Sequence, residues 1–215
     1  MQIIAVAGRK GGIGKSTIAG NLAGEFAAMG HKVVALDADP QHSLAAWAGQ
    51  GEGVLSQCVR KVHGGLVEEL RSRLKKAAKH DAEIIVIDTP PGMPETAYEA
   101  ALVADLFLLP CGPSPLDLFA LKEALGLALK ARAERRSKKP RIRFVPSRVP
   151  ANTNLGRSLP SSLEAMGKKV LPGISQRIAL AEAVTVGLTA GEYAPSSVSH
   201  AEFQELAKAV LKITE

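Results

Sequence analysis

Aromatic side chains make up only 4% of this 215-residue chain: five Phe, two Tyr and one Trp. So sparse a supply, with few rings among the basic residues, argues against a stacking platform for single-stranded nucleic acid. Cysteine is as scarce. Cys58 and Cys111 stand far apart at no metal-type spacing, which fits a reducing cytosol, leaves no disulfide framework and supplies no iron–sulfur ligand set. No apolar run approaches the ~20 residues needed to span a bilayer, and the start lacks a basic segment followed by a long apolar stretch and a cleavage site. A soluble chain is therefore expected. His31, His42, His63, His80 and His200 fall at no metal or triad spacing and read as surface or capping residues. Repeats and long low-complexity linkers are missing too.

Glycine is present where chemistry needs it. A hydrophobic strand, Gln2 to Ala7, runs straight into Gly8-Arg9-Lys10-Gly11-Gly12-Ile13-Gly14-Lys15-Ser16-Thr17. Closely spaced glycines let successive backbone N–H groups turn inward as an anion nest, because no Cβ obstructs the backbone or the approaching phosphate oxygens. The nucleotide-binding stretch is accordingly Gly11, Gly12, Ile13, Gly14, Lys15, Ser16 and Thr17. Lys15 is placed to reach the β/γ-phosphates, Ser16 to put a hydroxyl on Mg²⁺, and the helix that starts here points its positive end at the nucleotide. The general pattern G-x-x-x-x-G-K-[ST] is not quite obeyed, since Arg9 stands where the first glycine belongs. In its place is K-G-G-x-G-K-[ST], with a second lysine, Lys10, at the start of the turn. Lys15 already serves the bound phosphates, so Lys10 is expected to point out of the nest, where it could meet phosphates held by another subunit. The bland alternative is a solvated surface lysine.

Two further stretches end strands in carboxylates. Val33 to Leu36 delivers Asp37 and Asp39 at its carboxyl end, the edge at which open parallel sheets bind ligands. A spacing of two puts both side chains on one side of an extended segment. Two anions so placed repel unless a cation lies near them, which argues for Mg²⁺ or its water shell. A capping role for the helix near His42 to Ala48 could hold for one of the pair. The near-continuous β-branched run Glu83 to Ile87 reads as a central strand covered on both faces and ends in Asp88, followed by the rigid turn Thr89-Pro90-Pro91-Gly92. Capping is again the alternative for Asp88. Strands alternate with helical patterns at Lys15 to Met29, Leu66 to Lys79, Glu95 to Val103 and Leu116 to Arg135. That order predicts an α/β fold with a doubly wound, mostly parallel sheet flanked by helices. Val198 to Ile213 reads as a last amphipathic helix with Phe203, Leu206 and Val210 inward. Trp47 is expected to be buried.

With these residues in place the chain resembles the ParA/MinD group of deviant Walker A ATPases, most of all the small ParA-type partition ATPases. The resemblance spans nearly the whole sequence. It implies that ATP and Mg²⁺ are the cofactors and that Lys10 is the signature lysine reaching across an ATP-sandwich homodimer. Asp39, in the D-x-D-P-Q switch segment, would orient or activate the attacking water, Asp37 would support the Mg²⁺ shell, and Asp88 would be the Walker B aspartate. Pro110 to Asp117, too proline-rich for helix or ladder, looks like the family's loop beside the dimer interface. A strand from Ile142 to Pro146 leads to Ser147 and Arg148, where many relatives contact the adenine, and Ser175 to Ala183 resembles the family's R-x-x-x-x-E-A segment. The sequence departs from the nitrogenase iron protein, a relative with cluster-binding cysteines. Residues 1–215 are expected to form one P-loop domain, with no room for the N-terminal helix-turn-helix domain of large plasmid ParA proteins.

The formal net charge is +6, high for an enzyme whose only ligand is ATP. The excess is clustered at Lys130, Arg132, Arg135, Arg136, Lys138, Lys139, Arg141 and Arg143, opposed only by Glu134, with a second group at Arg71, Arg73, Lys75, Lys76 and Lys79. Each cation that neutralises a phosphate releases counterions, so such a surface binds double-stranded DNA without reading sequence. An ordinary solvated helix end is the alternative. Relatives carry basic residues around the DNA-facing edge of the dimer, which adds Arg148 and Arg177 as candidates. The resemblance further implies a cytoplasmic, nucleoid-associated ATPase for plasmid or chromosome partition, stimulated by a ParB-like or centromere-binding partner. Two rivals remain: a MinD-like membrane ATPase, disfavoured because Val198 to Glu215 carries no added basic–hydrophobic tail, and a carboxylate-activating enzyme of the dethiobiotin synthetase kind.

Overall fold

Continuous aliphatic runs bury both faces of a strand, so the helices joining such strands must cover the sheet on both sides. The computed structural model describes residues 1–62, 67–79 and 82–214, and in it the chain runs β1 (Gln2–Val6), α1 (Lys15–Ala28), β2 (Val33–Asp37), α2 (Ser43–Ala48), α3 (Val54–Cys58), β3 (Val59–Lys61), α4 (Val67–Lys79) and β4 (Ile84–Asp88). It continues through α5 (Pro94–Val103), β5 (Leu106–Cys111), α6 (Pro115–Glu134), β6 (Arg141–Pro146), α7 (Asn154–Glu164), α8 (Ile178–Thr185), α9 (Ala190–Tyr193) and α10 (Val198–Thr214). The strands form one sheet in the order β3-β2-β4-β1-β5-β6, and every pairing is parallel. The expected doubly wound architecture is present.

Alternate residues of each strand feed opposite cores. Ile4, Val6, Ile84, Val86, Leu106 and Leu108 pack with α1, α2, α3 and α10, where Phe26, Trp47 and Phe203 are buried. Ala5, Ile85, Ile87, Phe107 and Leu109 turn the other way, against α4, α5, α6 and α7. Trp47 is fixed further by donation from Nε1 to the Leu188 carbonyl at 3.1 Å. Its ring fills the space beside Gly20, where a Cβ would come within 2.4 Å of it.

Several local expectations are corrected. The ladder continues through Pro110 and Cys111, which pair with Val145 and Pro146. Pro110 lies two residues beyond the last β1 partner, Leu108, so its missing N–H interrupts no β1 pairing, and Pro115 opens α6 at a position where a helix has no use for the N–H. β3 and α7 were not anticipated. His200 is neither a surface nor a capping residue: its side chain is 18% exposed, with Nε2 3.2 Å from the buried Glu25 carboxylate. The expected helix start at Leu66, together with His63 and His80, lies outside the described residues.

Beyond α7 the chain returns along the outer edge of β6. Phe144 N–H donates to Lys169 O, Leu171 N–H to Phe144 O, Ile174 N–H to Pro146 O and Gln176 N–H to Val149 O. This flanking segment carries residues 174–177 to the carboxyl edge of the sheet, where the phosphate loop lies.

Candidate functional site

Gly12 and Gly14 adopt φ of 71° and 89°, values in which a Cβ is strained. A Cβ on Gly14 would also meet Ser147 Oγ at 2.7 Å. Gly14 is the N-cap of α1 and supplies no side-chain cap, and the first turn of α1 carries no acidic residue. The N–H groups of Lys15, Ser16 and Thr17 therefore begin the helix unsatisfied, as an anion site requires. The loop is held from β6: Ser147 Oγ donates to Ile13 O at 2.8 Å, and the Arg148 guanidinium donates to Gly12 O. Lys15 is 6% exposed, with Nζ donating to Lys10 O at 3.2 Å. Burial lowers its pKa, while Asp88 and Asp39 oppose that shift.

The acidic residues divide by register. Asp37 and Asp88 end adjacent strands as direct partners, and both are fully buried. Asp37 is already engaged, its carboxylate accepting from Asp39 N–H at 3.1 Å and from Ala45 N–H, in the first turn of α2, at 2.8 Å. The capping alternative thus describes what Asp37 does here. Asp88 differs: among the described residues neither carboxylate oxygen has a hydrogen-bond partner, and the Ser16 hydroxyl is near enough to favour the anion without making a bond of normal geometry. Burial, reinforced by Asp37 and Asp39, pushes the Asp88 carboxyl up to about 7. Two orphaned oxygens beside a hydroxyl and a lysine fit a divalent cation, whose charge would offset that cost. Among the described residues no three His, Cys, Asp or Glu side chains converge as a metal cage, and Mg²⁺ asks for none, since it is held by one or two carboxylates together with substrate phosphates.

A cleft of about 570 Å³ opens over the loop. Gly12, Gly14, Lys15, Ser16 and Asp39 line its polar end; Ile174, Leu180 and Val184 line an apolar wall. Asp39 accepts from Gln41 N–H at 2.9 Å. Arg148 and Arg177 border the same cleft, so Arg177 is placed with the nucleotide loop and not with the basic helix end. Glu202 on α10 secures this wall, accepting from Ser175 N–H at 2.9 Å and from its hydroxyl at 2.5 Å. Glu202 carries no motif by which spacing alone could have found it.

The basic cluster lies elsewhere. In a parallel sheet the β5–α6–β6 crossover returns to the amino edge, where Arg141 N–H donates to Asp105 O, so residues 135–141 sit at the end of the sheet away from the loop. Some of these cations are structurally committed. The Arg135 guanidinium donates to Ala101 O at 3.1 Å and to Ala104 O, closing the end of α5. Lys139 Nζ lies 2.7 Å from Asp105, and Lys130 Nζ sits 5.4 Å from the Tyr98 ring centre. Arg132, Arg136 and Lys138 line a shallow basic hollow. Arg143 is close enough to Arg141 and Arg132 that, after burial, their charges further lower its pKa.

Residues 4–190 match the family model described as the CobQ/CobB/MinD/ParA nucleotide binding domain. A maintenance of carboxysome distribution protein A from Gloeobacter kilaueensis is 37% identical over 131 residues, an alignment spanning 60% of this chain and 57% of that protein. The chromosome-partitioning ATPase Soj of Thermus thermophilus is 28% identical over 239 residues, spanning 97% of this chain and 94% of that one. Among solved structures, apo McdA of Cyanothece superposes with a TM-score of 0.79 at 18% identity, covering 98% of this chain and 99% of that one. At that identity the likeness is one of fold.

Proposed function

The chain belongs to the CobQ/CobB/MinD/ParA nucleotide-binding family, and from that premise we propose that it is a ParA-type positioning ATPase whose ATP-bound homodimer binds double-stranded DNA. The carrying observation is the pair of lysines on one loop: Lys15 lines the phosphate cleft, while Lys10 points away from it into a contact with α6. One lysine would serve the nucleotide at home, and the other, paired with Asp117 here, would turn to a second copy.

Phosphoryl transfer to water asks the protein chiefly to position groups and neutralise charge. The N–H groups at the start of α1 and the Lys15 ammonium would hold the phosphates, and Ser16 and Asp88 would hold Mg²⁺, which when bound neutralises charge on the β/γ-phosphate oxygens. Asp39, at the cleft surface, would accept a hydrogen bond from the attacking water and aim it. Asp37, whose carboxylate accepts from Ala45 N–H, would hold the start of α2 beside the Mg²⁺ shell. Arg132, Arg136 and Lys138 supply the DNA contact with Arg141 and Arg143. That surface is remote from the nucleotide, so its dependence on ATP comes from joining two weak half-surfaces in one dimer. Turnover is slow until a ParB-like partner accelerates it.

Relatives named for chromosome partition and for carboxysome distribution differ in what is positioned. The chromosome or plasmid is the first reading, supported by the longer alignment; a protein compartment is the second. The test is double-stranded DNA binding with ATP–Mg²⁺, ADP–Mg²⁺ or no nucleotide at two salt concentrations. Salt-sensitive retention with ATP alone supports the reading, and no retention in any state rejects the DNA step.

A further inference from the structure

Lys10 does not border the 570 Å³ nucleotide cleft. It lines an adjoining hollow of about 200 Å³, which shares Gly11, Gly12, Arg148 and Gln176 with the cleft and extends to Gly112, Pro113, Asp117 and Pro150. There its Nζ lies 2.6 Å from Asp117 Oδ1. The two partners are unequally free: the lysine side chain is 43% exposed and the aspartate 11%. Asp117 belongs to the first turn of α6, a helix begun by Pro115 and capped by Ser114, whose Oγ accepts from Leu116 N–H at 3.2 Å. A carboxylate is favoured in that turn by the helix dipole alone, so its presence is no argument by itself. What distinguishes it is the space made for it. A Cβ on Gly112 would come within 2.4 Å of Asp117 Oδ2, so the chain gives up a side chain at 112 to bring this carboxylate to the loop. The adjacent Arg9 is drawn to the same helix, its Nε 3.2 Å from Glu123 Oε2.

We propose that Asp117 is the positioning residue of Lys10: it holds the lysine outside its own phosphate site until a second nucleotide-loaded copy offers a phosphate to take the carboxylate's place. The inference rests on the reading of Lys10 as a lysine that acts across a dimer. A flexible lysine left free would sample its own site, where the Asp88 and Asp39 charges already favour the Lys15 ammonium. Asp117 fixes the direction of Lys10 and neutralises it, and it competes with the partner's phosphates for the same ammonium. Asp117 therefore sets the threshold of ATP-driven dimerisation.

The test uses the full chain carrying Asp39→Ala to preserve ATP, with the monomer–dimer equilibrium followed by sedimentation. Adding Asp117→Asn should let the dimer form at a protein concentration about three- to tenfold lower, Asp117→Glu should restore the original threshold, and ATP affinity of the dilute monomer should not move. Gly112→Ala, which crowds the carboxylate, should act in the same direction as Asp117→Asn. In a Lys10→Ala background neither change should shift dimerisation. Dimerisation by Asp117→Asn at an unchanged or higher concentration, or an equal shift with and without Lys10, overturns the role of Asp117. Unimpaired dimerisation of Lys10→Ala itself instead removes the underlying reading of Lys10.

Discussion

Asp88 combines complete burial with two oxygens that lack hydrogen-bond partners among the described residues, a combination that is costly in the free protein and suited to a cation. Asp88→Asn keeps the shape and removes the charge. Its melting temperature without nucleotide should equal or exceed that of the parent, because burial of this carboxylate outweighs the help of Lys15 and Ser16 and so disfavours its charged form. The rise in melting temperature produced by ATP should lose its dependence on Mg²⁺. A variant that melts lower and keeps that dependence would place the cation elsewhere.

Glu25 poses the converse case, with no part in nucleotide chemistry. His200 Nδ1 lies 2.6 Å from Pro195 O and so carries a hydrogen, leaving Nε2 to face Glu25. Burial raises the Glu25 pKa, and His200 and Lys208 offset the shift only in part. A carboxyl whose pKa is higher folded than unfolded stabilises the fold when protonated. Its contribution is complete below the ordinary value of 4.5 and is lost as the pH climbs through the raised one. As the pH rises above the ordinary value of 4.5, the parent should lose melting temperature relative to Glu25→Gln, whose side chain stays neutral. Parallel curves for the two proteins would show that Glu25 does not titrate in that range.

Elements differ in how far they could be read from sequence. β1, β2, β4, β5 and α1 were legible because aliphatic runs and a glycine loop specify them locally. β3 carries one apolar residue in three, Val59-Arg60-Lys61, and exists because β2 offers it an edge. α7 contains Pro160, which locally argues against a helix, yet Leu159 and Leu163 are buried with Phe144. The phosphate loop was equally plain, whereas Asp117 is 107 residues from Lys10, and spacing carries no information over that distance. The α6–β6 connection shows the same limit, since its cations look alike in sequence but divide in structure. Arg135→Ala should lower stability by about 1 kcal/mol through two uncapped carbonyls of α5. Arg136→Ala with Lys138→Ala should leave stability within ~0.5 kcal/mol and reduce the salt slope of DNA binding by about 2. Unfolding and DNA titrations at several salt concentrations check both, and equal DNA loss from either change would spread the contact over the whole turn.

Across the whole molecule, the phosphate loop and the basic hollow occupy opposite ends of one sheet, so under the proposed function the coupling between them is expected to come from dimerisation. Asp39→Ala should retain ATP and accumulate as a DNA-bound dimer, while Lys15→Ala should neither bind ATP nor retain DNA. Hydrolysis by Asp39→Ala at the parent rate would remove Asp39 from the chemistry. Among the described residues no helix is long and apolar enough to cross a membrane, and the two cores on either face of the sheet, not a lipid contact, account for the large buried side chains.

The segment that accompanies β6 has a consequence for self-association. It takes up the outward N–H and C=O groups of Phe144 and Val149 and the C=O of Pro146, while the opposite border is β3, three residues long and bearing exposed Arg60 and Lys61. A long bare strand is what lets sheets of separate molecules fuse edge to edge, and short, charged or covered borders prevent it. Any filament this protein builds must therefore grow by stacking folded units through their side-chain faces, with each sheet ending inside its own subunit.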